Sequence, residues 1–122
     1  GLFTSPSRHH RMVFVDPDDT SLPYWWAALI VPEEEWSLFR EAMDSDVQTV
    51  KPSEVLVCYF EDGSYSVVPR TALTPFHPDK DPYLAYAKEN PRFGEEEAIR
   101  LATNFWHLGE VPPRFKWLRW LV

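Results

Sequence analysis

The stretch "EVLVCYFEDGSYSVV", residues 54–68, decides the fold. Two runs rich in β-branched and aromatic residues flank Asp62 and Gly63, a pair that tolerates the positive φ a two-residue type I′ turn requires at both central positions. The segment is expected to be a β-hairpin. Upstream, "RMVFV" (11–15) and "WWAALIV" (25–31) have the same composition, and a fifth short segment, 72–76, follows the hairpin. Five short strands joined by tight turns, with helices gathered afterwards, predict a mainly β domain with α elements. The expected architecture is a small curled antiparallel barrel capped by helices, not a parallel α/β sheet.

The helices follow from local signals. Between the second and third strands, Pro32 suits a first helical position, Glu33, Glu34 and Glu35 suit its positive end, and Trp36, Phe39 and Met43 fall on one face. A short inserted helix is predicted over 33–43. Asp81 with Pro82 opens a second helix that Pro91 closes. Gly94 and three glutamates open a third, with Ala98, Leu101, Ala102, Phe105 and Leu108 as its apolar stripe and Gly109 as its C-cap. The 122 residues make one domain, with the barrel over about 11–76 and the helical part over about 81–122. The polar lead-in suggests a domain cut from a longer protein.

Composition narrows the function. No apolar run approaches the roughly 18 residues that span a bilayer, so no membrane partner is expected. The lone Cys58 cannot form an internal disulfide and no secretory signal is evident, which favours a reducing compartment. Net charge is −7, and residues 12–104 hold 18 acids against 7 bases, whereas Arg114, Lys116 and Arg119 face only Glu110 in the tail. An acidic body repels a phosphate backbone and matches basic peptides better.

Catalytic constellations are scarce. Cys58 sits mid-strand as a small buried hydrophobe, His9 and His10 look like solvated tail, and the four histidines lack partners at ligand spacing. No phosphate loop or nucleophile elbow is present. No enzyme activity, cofactor or metal is expected. The aromatics carry more information, because rings make up 16% of the chain, more than a core of this size needs. Trp25 and Trp26 are strand neighbours and point to opposite faces, as do Tyr59 and Phe60, so one of each pair looks outward.

"YWWAALIV" followed by "VLVCYFEDGSYSVVPRTALTPF" resembles the PWWP domain, of the Tudor and chromo-barrel group. Tyr24, Trp25, Trp26 and Ala27 stand where that family has Pro-Trp-Trp-Pro. Tyr59, Phe60, Asp62, Tyr65 and the exit from Leu73 to Phe76 match its third-to-fourth strand hairpin in order. "VPPRFKW" is similar to the end of the variant PWWP of retinoblastoma-binding, ARID-containing chromatin proteins. The resemblance implies a five-stranded SH3-like or Tudor-like barrel and a nuclear, non-catalytic reader of a methylated-lysine histone tail or nucleosome. Its aromatic cage would be formed by Trp26, Tyr59 and the nearby Asp62, with Trp25 packed inward. The sequence departs from the family at Pro23, where a cage aromatic is usual, and at Ala27; Tyr24 or Phe14 is left to supply the third wall. It also implies weak DNA contact, for which Arg8, Arg11, Arg114, Lys116 and Arg119 are the candidates.

A second reading stays open: a degenerate barrel serving as a scaffold in a chromatin-modifying complex. Trp36, Trp106, Trp117 or Trp120 would then dock a neighbouring subunit.

Overall fold

A computed structural model describes residues 5–43, 50–115 and 117. Five strands, β1 (Met12–Val15), β2 (Trp26–Val31), β3 (Glu54–Tyr59), β4 (Tyr65–Pro69) and β5 (Leu73–Pro75), form one antiparallel sheet in the order β4-β3-β2-β1-β5. Val68 of β4 and Leu73 of β5, from opposite edges, pack into the same apolar cluster with Val13, Val15, Ala28, Val55 and Val57. The sheet therefore curls into a half-barrel, and the short 3-10 turn Arg70–Ala72 joins its two edges.

Strand alternation divides the side chains between two faces. Met12, Phe14, Ala27, Leu29, Val31, Leu56 and Cys58 point to the face that the helices cover. Helix α2 (Trp36–Met43), preceded by the 3-10 turn Glu33–Glu35, fills the β2–β3 connection as predicted. It buries Phe39, and the Trp36 indole donates to the Val31 carbonyl at 2.9 Å. Helix α3 (Tyr83–Glu89) and helix α4 (Glu97–Leu108) close the same face.

Three local expectations are corrected. Only Gly63 of the turn pair has positive φ, +76°; Asp62 does not, so the turn is not type I′. The loop is the four residues 60–63, closed by the Tyr59 amide donating to the Ser64 carbonyl at 2.8 Å. The extra length lets Phe60 reach the core, where it is 1% exposed against Phe105 and Phe115. On α4 the buried positions are Ile99, Ala102 and Phe105, while Leu108 is 68% exposed; the stripe is rotated from the expected one, and Gly109 caps the helix at φ +71°. Finally, residues 5–10 form helix α1 (Ser5–His10) and not a solvated tail. Arg8 and His9 both donate to the Trp106 carbonyl, each at 2.8 Å, and His9 stacks on the Trp106 ring at 3.8 Å. These basic groups satisfy an acceptor at the negative end of α4, which gives so short a helix its reason to form.

Candidate functional site

Trp26 opens β2 opposite Val15, and Tyr59 ends β3 opposite Ala28. Trp26 and Ala28 share a face because they are two residues apart, so the register sets Trp26 diagonally beside Tyr59. Their rings stand perpendicular, at 89°, with centroids 5.6 Å apart. Trp26 is 44% exposed and Tyr59 half-buried. Their right-angled corner lies on a cavity of about 570 Å³ between the sheet and the start of α4.

The cavity has apolar and acidic sides. Leu22, Pro23, Trp25, Ala27, Ala98 and Ile99 line it beside the two rings, and Glu61, Asp62, Glu96 and Glu97 are its acidic lining residues. Asp62 is held by an Asx-type turn: its Oδ1 accepts the Ser64 amide at 2.9 Å. Hydrogen bonds from the Ser64 hydroxyl and amide, with the neighbouring Arg114 guanidinium, keep the Asp62 carboxyl below the usual carboxylate range. Burial pushes the Tyr59 phenol up, as does the Asp62 charge, against a hydrogen bond with the Ser66 side chain. Tyr24 also lines the cavity, and its phenol is pushed up by burial first and then by a hydrogen bond to the Glu96 carboxylate. Acidic side chains beside aromatic faces are the chemistry that an organic cation would engage.

Trp26, Tyr59, Asp62 and Tyr24, the expected cage residues, thus share one cavity. Tyr24 packs on Phe93, centroids 4.9 Å apart and planes at 79°, and on Tyr86 at 6.0 Å, so its ring is a prop between barrel and helices. Phe14, the other candidate for a third wall, is fully buried against Phe76 and Tyr86 and cannot serve. Trp25 precedes the strand; it packs partly buried against the helix-covered core and also lines the cavity, so it is not the wholly inward ring expected of a strand neighbour.

The candidate basic residues are dispersed. Arg114 lies beside the cavity, where its Nη1 donates to the Glu61 carbonyl at 2.7 Å. Arg11 is elsewhere: its side chain is 12% exposed, ion-paired with Glu35 at 2.9 Å, and its Nε donates to the Ile30 carbonyl. Burial outweighs that pairing and lowers the Arg11 pKa while raising that of Glu35, so the pair fastens β1 to the α2 segment and offers no charge to a phosphate. Lys116 and Arg119 lie outside the described residues. Among the proposed scaffold anchors, Trp117 is fully buried, Trp106 lies between His9 and His77, Trp36 is bonded to Val31, and Trp120 lies outside the described residues.

Sequence reasoning missed the far wall. Glu96 and Glu97 read as helix N-terminal charge, which they are, but the fold also aims that terminus at the aromatic corner. The run of three glutamates signals a helix N-terminus and nothing of where it docks. Cys58 is buried, its thiol pushed up to about 12 by desolvation, which fits an inert core residue. Among the described residues no cluster of three or more His, Cys, Asp or Glu could hold a metal ion. No helix in the described residues is long and apolar enough to cross a membrane. In comparisons with known proteins, no family model matches the chain and no curated protein matches it significantly.

Proposed function

We propose that this domain is a non-catalytic chromatin reader whose half-barrel is of the SH3-like, Tudor-like kind found in PWWP domains. The ligand is a methylated-lysine histone tail, held between Trp26 and Tyr59, with Asp62 supplying charge and Tyr24 supporting the wall. The observation that carries this reading is the perpendicular pair of an exposed tryptophan and a tyrosine opening on a cavity that four acidic residues help to line. Each ring face attracts an alkylammonium by roughly 0.5 to 2 kcal/mol, and the carboxylates add long-range attraction for a basic tail. A weak auxiliary DNA contact through Arg114 belongs to the same proposal, and a nuclear location follows from it.

Calorimetric titration with histone-tail peptides, each in unmodified and methylated form, tests the reading. A methylated peptide should bind at least about tenfold more tightly than its unmodified twin, the scale of one or two cation–π faces. Equal affinity for the two forms would remove the cage from the account.

A further inference from the structure

The cage reading gives the ligand's charged head to Trp26 and Tyr59 and leaves most of the cavity without an occupant. A methylated lysine side chain has about eight non-hydrogen atoms and fills roughly 200 Å³, if each atom takes a little less than a water molecule's share of the liquid. The cavity is about 570 Å³. Besides the two rings, its apolar lining includes Leu22 and Pro23 from the β1–β2 connection and Ala98 and Ile99 from the first turn of α4.

Leu22 separates a ligand contact from ordinary packing. Of the large apolar side chains that stay exposed among the described residues, two line this one cavity: Trp26, and Leu22, which keeps 36% of its surface in water. Leu22 therefore has apolar area still to bury, and burying it is favourable in proportion to that area. Its backbone is already fixed. The Leu22 amide donates to the Asp19 carbonyl at 3.2 Å, and Asp19 Oδ1 accepts both the Ser21 amide at 3.0 Å and the Ser21 hydroxyl at 2.6 Å. Asp16 Oδ1 accepts the Asp18 amide at 2.8 Å earlier in the same connection, and Pro23 restricts the residue before it. A side chain whose backbone is set in advance meets a ligand at a reduced ordering cost.

Resting on the cage reading, we infer that Leu22, with Pro23, Ala98 and Ile99, forms a second, apolar subsite that takes an aliphatic side chain adjacent to the methylated lysine in the ligand. The ligand class narrows to tails in which that lysine has an aliphatic neighbour. A lysine flanked only by glycine, serine or charged residues fills the cage alone and binds more weakly.

Blocked dipeptides test this without a tail sequence. Each joins dimethyl- or trimethyl-lysine to leucine or to alanine, in both orders, and is titrated at constant ionic strength while the Trp26 and Tyr59 ring resonances are followed by NMR. In at least one order the leucine dipeptide should reach half-saturation at about one tenth of the concentration its alanine twin needs, the effect of roughly half-burying three more carbon atoms. In the Leu22→Ser variant, confirmed folded by its melting curve, that ratio should fall towards one. Equal half-saturation of leucine and alanine twins in both orders overturns the inference and leaves the cage standing. A ratio that survives in Leu22→Ser, whether or not both twins weaken, overturns the assignment to Leu22. If no dipeptide in either methyl state moves the two rings, the cage reading and this inference fall together.

Discussion

Two tryptophans define two regions of the molecule. Trp117 is fully buried, stacked near Phe115 and edge-on to Phe39, whereas Trp26 opens a strand and keeps 44% of its surface in water. The same contrast separates chain neighbours, because Phe60 is sealed between Phe105 and Phe115 while Tyr59 turns to the cavity. In the sealed region a ring stabilises the fold by excluding water and filling space. In the open region that contribution is partly forgone, and a face is left available to a ligand. Residue type does not distinguish the two regions; the course of the 60–63 loop and the position of α4 do.

The contrast breaks most visibly in the sealed region. Phe60→Ala should cost about 3 to 5 kcal/mol, since a fully packed ring leaves a cavity that Phe105 and Phe115 cannot fill. Urea denaturation measures it, and a loss below about 1 kcal/mol would mean that this ring is not core.

Gly63→Val comes next, at about 3 kcal/mol. Gly63 has φ +76°, and a Cβ there would meet the Arg114 carbonyl oxygen at 2.8 Å and the Arg114 Cβ at 2.9 Å, a clash with backbone that no rotamer change relieves. Because that loop carries Glu61 and Asp62, the variant should also loosen the acidic rim while any folded molecules remain. Wild-type stability in this variant would contradict the packing of Arg114 on the hairpin loop.

A chemical probe sharpens the boundary between the regions. The Cys58 thiol donates to the Gly63 carbonyl at 3.3 Å, and burial lifts its pKa from 9.0 to about 12. Below pH 9 the buried thiol is neutral in both folded and unfolded chains. As pH rises from 9 to about 12 the unfolded chain ionises first, so stability falls across that window. Iodoacetamide at pH 8 should therefore leave the folded protein unmodified and label it in urea. Rapid labelling of the folded protein would place Cys58 outside the sealed region.

Most of the fold is local enough to read from the chain. Alternation in 54–68 places Leu56 and Cys58 against Val55 and Val57 without knowledge of the rest, and Gly109 caps α4 because its left-handed conformation suits glycine. The loop type was not legible, because what favours a four-residue loop is Phe60 reaching α4 and Gly63 approaching Arg114, 51 positions away in the chain. Helix α1 was hidden for the same reason, since its basic residues find their acceptor at Trp106. Of the site, parity says only that one of Trp25 and Trp26 looks outward, and the resemblance is what singles out Trp26. The Glu96 and Glu97 wall depends on where α4 docks, and no local signal carries that.

The smallest expected change in stability tests the central claim most directly. Trp26→Ala should lose less than about 1 kcal/mol, because the ring is nearly half in water and stands edge-on to Tyr59 at the cavity mouth. It should also abolish binding of whichever methylated histone peptide the wild type takes. Thermal melting and peptide titration on the same preparation give both readings. A variant that melts like the wild type and no longer binds is the result predicted here; one that unfolds, or that keeps its affinity, would show that Trp26 belongs to the core or that the cavity it opens is not the site.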